Sequence, residues 1–236
     1  MSQSIASRAA HEAKPGGLEI RDVRIPPLGL PGTLRIPGGA HAFIAFAHGS
    51  GSSRFSPRNM AVADGLNARG FATLLFDLLS SQEEVDRANV FNVALLAERL
   101  VDAINWLDRE SPAPPRPLGL FGASTGAAAA LLAAARLGDW IGAVVSRGGR
   151  PDLAGQTLDE IRTATLLIVG GADYGVIELN DEALTHLKGP KALQIVPGAS
   201  HLFPERGALE AVIDYAARWF ARHLGGTAPK ATGVIR

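Results

Sequence analysis

Residues 122–126 read Gly-Ala-Ser-Thr-Gly and place Ser124 between two glycines in the spacing G-x-S-x-G. The apolar run 117–121 predicts a buried strand, and the Ala/Leu-rich stretch 125–137 predicts a helix. A serine on a sharp strand-to-helix turn is typical of an exposed nucleophile, with the next backbone N–H, that of Thr125, donating to an oxyanion. The sequence therefore predicts Ser124 as a nucleophile, and a serine N-cap on a buried helix is the alternative.

A serine nucleophile needs a base and a third group that orients the base, and on strand-turn-helix scaffolds they follow in the order serine, acid, histidine. His201 comes after the predicted strand 192–196, and Asp173 comes after the predicted strand 164–169. Both positions lie at the carboxyl end of the sheet, so we predict His201 as the base and Asp173 as its acid. Asp173 as a turn residue or N-cap is the alternative. Less favoured candidates fall in predicted helices or precede the serine: His186, His223, Glu178, Asp181 and Asp77.

The glycine-rich segment 47–54, Ala-His-Gly-Ser-Gly-Ser-Ser-Arg, follows the predicted strand 41–47 and supplies the candidate second oxyanion donor. We expect the Ser50 N–H to be this donor, with Gly51 next, because glycine lets the backbone approach a substrate closely. His48 is expected to stabilise the loop through hydrogen bonds. A phosphate-binding loop is the weaker alternative, because neither G-x-G-x-x-G nor G-x-x-x-x-G-K-[ST] is present.

Two arginines near the predicted site could hold a carboxylate or phosphate of a substrate. Arg54 ends the glycine-rich segment, and Arg150 follows the predicted strand 142–146. The alternative is that both are surface charges or pair with Asp152, Glu83 or Glu84.

Short apolar runs alternate with helical stretches along the chain, which predicts an α/β fold with a doubly wound, mostly parallel sheet and helices on both faces. Segments 18–25 and 33–36 alternate in polarity and predict an antiparallel hairpin before the parallel strands. The predicted strands are 41–47, 71–76, 117–121, 142–146, 164–169 and 192–196, and the predicted helices are 57–69, 89–108, 124–137, a short one near 153–162, 178–187 and 207–224.

The length of 236 residues suits one domain, predicted over 18–224, with flexible segments at 1–17 and 225–236. Lys+Arg and Asp+Glu balance at 23 each, which argues against nucleic acid or an anionic membrane as a partner. Cysteine is absent, which excludes disulfides, thiolate metal sites and a cysteine nucleophile. No leader, spanning segment or metal motif is recognisable, so we expect a cytoplasmic monomer or homodimer without cofactor or metal.

Segments 48–54, 122–126, 170–173 and 200–201 together resemble the α/β-hydrolase superfamily, above all small bacterial dienelactone-hydrolase-like and carboxylesterase-like proteins. Some proteins of this kind are joined to a phosphoribosyltransferase domain. The resemblance covers about 18–224 and implies a triad of Ser124, Asp173 and His201. True dienelactone hydrolases carry a cysteine at the elbow, and this chain has a serine, so their substrate is not carried over.

The stretch 147–163 leaves little room for a lid, so we expect no large cap domain and an open, shallow site. This favours a small-molecule substrate, a small or short-chain ester that could be anionic. Hydrolysis of a lactone, thioester or amide by the same residues is the second hypothesis. A non-catalytic protein that binds a ligand or partner on the same fold is the third.

Overall fold

A computed structural model of the protein describes residues 17–110 and 117–225. The strands are β1 (Leu18–Ile25), β2 (Leu30–Pro37), β3 (Ala42–Ala47), β4 (Phe71–Phe76), β5 (Leu118–Ala123), β6 (Ile141–Arg147), β7 (Ala164–Gly170) and β8 (Lys191–Val196). The α-helices are α1 (Pro57–Asn67), α2 (Arg87–Phe91), α3 (Val93–Glu110), α4 (Thr125–Leu137), α5 (Tyr174–His186) and α6 (Ala208–His223). The predicted flexible segments 1–17 and 225–236 lie outside the described residues, except for Gly17 and Gly225.

The eight strands form one sheet in the order β1-β2-β4-β3-β5-β6-β7-β8. The pairs β1–β2 and β2–β4 are antiparallel, and the other neighbouring pairs are parallel. This confirms the predicted mostly parallel, doubly wound sheet and the antiparallel hairpin at its start. The loops after β3, β4, β5, β6, β7 and β8 all leave the carboxyl edge, where an α/β sheet places its functional groups.

Helices cover both faces of the sheet, and alternate strand residues point into two separate cores. In β3, Phe43 and Ala45 belong to the core beneath α3, α4 and α5, whereas Ile44 and Phe46 belong to the core beneath α1 and α6. Every residue of β3, β4 and β5 is buried, which explains why these strands read as uninterrupted apolar runs.

Three helix predictions needed correction. Helix α5 begins at Tyr174 and not at 178, because the carbonyl of Asp173 accepts hydrogen bonds from the next turn despite the poor helix formers at its start. The predicted helix 89–108 is interrupted at Asn92, whose side chain accepts a hydrogen bond from Leu95 N at 3.1 Å and so caps α3. The predicted short helix near 153–162 is a 3-10 segment, Pro151–Glu160, with a kink at its glycine.

That 3-10 segment is the whole of the regular structure between β6 and β7. No large cap is inserted there, so the carboxyl edge of the sheet is open above β5 and β6.

Candidate active site

Ser124 occupies a sharp turn between β5 and α4. Strand β5 ends one residue before it, α4 begins one residue after it, and its backbone has φ 52° and ψ −124°. A positive φ in a residue other than glycine costs about 1–3 kcal/mol and persists where the surroundings enforce it. Here Ser124 N donates to Arg147 O at 3.3 Å, and Ser124 O accepts from Ala127 N and from Arg150 N, each at 3.1 Å. The turn is therefore held by the backbone on both sides.

The two glycines of the motif have a steric reason to lack a side chain. A Cβ on Gly122 would lie 2.5 Å from Ala127 Cα, and a Cβ on Gly126 would lie 2.3 Å from Ala47 O. Both distances are shorter than any real Cβ contact. The spacing G-x-S-x-G thus follows from the close passage of β3, β5 and α4 around Ser124.

Asp173 and His201 are hydrogen-bonded to each other. Asp173 Oδ2 lies 2.7 Å from His201 Nδ1, and both side chains are partly buried. Asp173 also stands directly before α5, yet its side chain makes no capping hydrogen bond. The carboxylate therefore serves the imidazole and not the helix. With Nδ1 engaged, Nε2 of His201 is the ring nitrogen left for another group.

The loops that carry Asp173 and His201 are packed closely together. Ala172 N donates to Ala199 O at 2.9 Å, and a Cβ on Gly170 would lie 2.3 Å from that oxygen. Glu205 fixes the histidine loop from the far side, because its Oε1 accepts from Ser200 N at 3.1 Å and from Ser200 Oγ at 2.6 Å. The Ser200 hydroxyl holds the pKa of the Glu205 carboxyl below its usual value. Glu205 could not be identified from the sequence, because its spacing from the histidine loop matches no motif.

The Asp–His pair lies at the same end of the sheet as Ser124. A Cβ on Gly148 would lie 2.9 Å from His201 O and 3.6 Å from its Nδ1. Gly148 directly follows Arg147, whose carbonyl accepts from Ser124 N. The histidine loop thus stands beside the strand end that is hydrogen-bonded to the serine.

His48 fixes the glycine-rich loop, as its position suggested. Leu78 N donates to His48 Nε2 at 3.2 Å, so the ring proton is on Nδ1, which donates to Gly49 O at 3.0 Å. Burial lowers the pKa of His48 and keeps the ring neutral. A Cβ on Gly49 would lie 2.9 Å from Ser124 Cβ, so the loop backbone runs directly past the serine.

The two predicted oxyanion donors are neighbours. Ser50 N donates to Thr125 Oγ1 at 2.9 Å, which joins the glycine-rich loop to the first residue of α4. Thr125 is the first residue of that helix, where backbone N–H groups lack an intrahelical acceptor. The donor loop and the elbow are therefore tied together beside Ser124.

The arginines predicted to hold a substrate anion both contact carboxylates of the chain. Arg54 donates to Asp77 through its backbone N–H at 2.8 Å and forms an ion pair with it through Nη1. Arg150 binds Asp152 in a bidentate manner at 2.9 and 2.7 Å, and hydrogen bonding to that carboxylate raises the pKa of Arg150. Both arginines are therefore paired within the chain and not free for a substrate anion, and each guanidinium charge is balanced by a carboxylate. Asp152 was among the expected partners, whereas Asp77 was not.

Arg147, the last residue of β6, is a buried cation, and nothing in the sequence around it indicates this burial. It is 7% exposed, and among the described residues its guanidinium makes one hydrogen bond, from Nη2 to Asn59 Oδ1 at 3.4 Å. Burial, with a smaller contribution from the charge of Arg58, lowers the pKa of Arg147 to about 10.

Within 17–110 and 117–225, no group of three or more His, Cys, Asp or Glu side chains could hold a metal ion. No helix in these ranges is long and apolar enough to cross a membrane.

The sheet order, the elbow at Ser124 and the acid and histidine after β7 and β8 define an α/β-hydrolase fold. The esterase domain of a Rhodothermus marinus protein has this fold, with a TM-score of 0.69, 20% identity and coverage of 89% of this chain and 100% of that chain. A crystal structure of dienelactone hydrolase from Anabaena variabilis matches with a TM-score of 0.84 and 49% identity over 89% of this chain and 100% of that one. The chain therefore belongs to the dienelactone-hydrolase-like family of α/β-hydrolases, and this membership supports a hydrolase.

Among curated proteins, the chain is 53% identical over 203 residues to a Mycobacterium tuberculosis H37Rv protein named "Putative phosphoribosyl transferase Rv0571c". The match covers 86% of this chain and 46% of that protein, so the chain spans about half the length of this curated relative. No protein-family model matches the sequence.

Proposed function

We propose that the protein is a serine hydrolase that cleaves small or short-chain carboxylic esters through an acyl-enzyme on Ser124. The observation that carries this proposal is the 2.7 Å hydrogen bond between Asp173 and His201, at the same edge of the sheet as the strained turn of Ser124. A carboxylate on Nδ1 fixes the tautomer that leaves Nε2 free to accept the proton of a serine hydroxyl. Among the described residues, Ser124 Oγ makes no hydrogen bond, and contacts of this kind often form only when a substrate is present.

In the proposed reaction, Ser124 Oγ attacks the ester carbonyl carbon while His201 Nε2 takes the hydroxyl proton. The C–O bond to the alcohol then breaks, and His201 returns the proton to the departing oxygen. Water then attacks the acyl carbon while His201 Nε2 takes one of its protons. The bond between the acyl carbon and Ser124 Oγ breaks, His201 returns the proton to Oγ, and the carboxylic acid leaves. Asp173 keeps its charge throughout and stabilises the imidazolium.

The oxyanion of the tetrahedral intermediate is proposed to accept from the N–H groups of Thr125 and Ser50. Each such donor contributes on the order of 3 kcal/mol in comparable sites. The Ser50 N–H is engaged by Thr125 Oγ1 in the free protein. Because a charged oxygen is a stronger acceptor than a neutral hydroxyl, the oxyanion displaces or shares this bond.

The open edge above β5 and β6 favours a small substrate, and the ion pairs of Arg54 and Arg150 favour a neutral one. An anionic ester would have to compete with Asp77 and Asp152 for these arginines. A lactone is a second candidate substrate, because a protein named dienelactone hydrolase is 49% identical to this chain. We attribute the transferase name of the curated relative to the half of that protein outside the match.

A fluorophosphonate probe tests this proposal on the folded protein, with Ser124→Ala as the control. We expect labelling of the wild type at Ser124, no labelling of the variant, and turnover of p-nitrophenyl acetate by the wild type. Labelling with turnover restricted to a lactone, thioester or amide would replace the ester and keep the nucleophile. No labelling and no turnover of any of these substrates would indicate a non-catalytic binding protein.

A further inference from the structure

A groove with a volume of about 600 Å³ opens beside the glycine-rich loop, and none of the predicted triad residues lines it. It begins at Ser50, whose N–H contacts Thr125, and runs between two stretches of chain, 50–57 and 84–91. The groove is therefore continuous with the proposed oxyanion donors. Its lining residues are Ser50, Gly51, Ser52, Ser53, Phe55, Ser56, Pro57, Glu84, Arg87, Val90 and Phe91.

Two aromatic rings in the lining are unusually exposed. Phe55 is 59% exposed and Phe91 is 52% exposed, and neither contacts another aromatic ring among the described residues. Arginine guanidinium carbons lie 4.1 Å from the Phe55 ring centre and 5.8 Å from the Phe91 ring centre. An aromatic side chain in water gains free energy when a flat apolar surface covers it, so both rings offer a surface for a ring-shaped ligand.

Hydroxyl groups lie along the same groove. The oxygens of Ser53 and Ser56 each accept a backbone N–H, at 3.2 and 3.4 Å, which leaves both hydroxyl hydrogens free to donate. The hydroxyls of Ser50 and Ser52 make no hydrogen bond within the described part of the chain. Four hydroxyls with unused hydrogen-bonding capacity thus share a groove with two exposed aromatic rings.

The charges in the lining cancel. Glu84 and Arg87 form no ion pair within the described ranges, and each is exposed. An anionic ligand would meet the glutamate and a cationic one the arginine, so the groove favours a neutral ligand with its own hydroxyl groups. A plain alkyl chain could cover the phenyl rings but would leave the serine hydroxyls without partners.

We propose that this groove is a substrate subsite that binds a neutral ring bearing several hydroxyl groups, as the acyl part or the alcohol part of the ester. The assignment rests on the proposed function, because it joins the groove to the Ser124 site through Ser50. Apolar ring faces cover Phe55 and Phe91, and the ring hydroxyls exchange hydrogen bonds with Ser52, Ser53 and Ser56.

Calorimetric binding to the Ser124→Ala protein tests the groove without requiring turnover. The probes are two matched pairs: methyl cyclohexanecarboxylate against its trihydroxy derivative, and cyclohexyl acetate against the monoacetate of a cyclohexane polyol. In at least one pair, we expect the hydroxylated ester to bind about tenfold more tightly than the ester without hydroxyl groups. One or two net hydrogen bonds provide a difference in affinity of this size. Phe91→Ala in this background should weaken the binding of both members of that pair, because both rings cover Phe91, whereas the preference between them rests on the serine hydroxyls. Trp140→Ala, which trims an aromatic side chain of similar exposure (53%) outside the groove, should leave both affinities unchanged.

Equal affinity within both pairs, or the same loss from Phe91→Ala and Trp140→Ala, would overturn the subsite. These outcomes differ from failure of the proposed function, which shows as absence of fluorophosphonate labelling in the wild type. A protein that is labelled at Ser124 but shows no preference within either pair keeps its function and loses this subsite.

Discussion

The elbow around Ser124 and the groove between 50–57 and 84–91 adjoin one another and are built in opposite ways. At the elbow, backbone atoms decide which residues fit: a Cβ on Gly122 or Gly126 would overlap main-chain atoms. In the groove, side chains face open space, and Phe55 and Phe91 keep more than half of their surface exposed. The proposed chemistry thus belongs to a part of the fold that tolerates little change, and the proposed substrate subsite to a part that tolerates much.

Because the elbow is closely packed and the groove is open, we expect substitutions near the elbow to reduce the reaction rate or the stability. Substitutions in the groove should instead alter substrate preference.

Loss of the acid should have the largest effect on rate. Asp173→Asn keeps the shape of the side chain but removes the charge that fixes the His201 tautomer, so we expect kcat to fall by roughly 10³–10⁴. The measurement is kcat for p-nitrophenyl acetate beside the melting temperature, with Asp181→Asn, on the exposed side of α5, as the matched control. A loss of less than about tenfold would remove Asp173 from the proposed reaction and weaken the contrast with the groove.

The backbone constraint at the elbow should show in stability. Gly126→Ala places a Cβ against Ala47 O and His48 O, at 2.3 and 2.5 Å before relaxation, and we expect a loss of about 3 kcal/mol in the free energy of unfolding. Gly175→Ala is the control, because that helical position has nothing within 4 Å of the added Cβ. It should be neutral or slightly stabilising in urea unfolding. Equal stability of the two variants would contradict a sterically closed elbow.

A smaller effect concerns His48, which joins the glycine-rich loop to the chain after β4. Burial lowers its pKa in the folded state, so below pH 6.5 the unfolded chain takes up a proton that the folded protein resists. The His48 contribution to stability is therefore complete above pH 6.5 and is lost as the pH falls towards the lowered value, by at most about 1.4 kcal/mol per pH unit. Burial also lowers the pKa of His41 and His223, so the wild-type pH dependence is the sum of several groups.

The His48 share is the difference in pH dependence between wild type and His48→Gln, measured by urea unfolding below pH 6.5. We expect a shallower dependence in the variant. If the free energy of unfolding depended on pH equally in wild type and variant, the pKa of His48 would not be lowered by burial in the folded protein.

The sheet and the elbow could be predicted from sequence because local pattern determines them. Strands buried on both faces read as apolar runs, and the fixed order of elements places Asp173 and His201 after β7 and β8. The motif around Ser124 was recognisable because its two glycines are required by close contacts that are mostly local. The backbone that would overlap a Cβ lies within five residues for Gly122 and at the end of the neighbouring strand β3 for Gly126.

Features that depend on residues far apart in the chain could not be predicted. The Arg54–Asp77 ion pair joins two loops separated by 23 residues, and no local pattern indicates it. The burial of Arg147 depends on helix α1, to which it is joined through Asn59, 88 residues earlier. The groove itself exists because 84–91 folds back beside the glycine-rich loop, which is a property of the tertiary structure.

Rapid acid quench during turnover of p-nitrophenyl acetate, followed by peptide mass spectrometry, reveals which residue carries the acyl group. We expect one acetyl group on Ser124 of the wild type and none in Ser124→Ala, which should also lose turnover. An acetyl group on another residue, or undiminished turnover by Ser124→Ala, would contradict the proposed acyl-enzyme on Ser124.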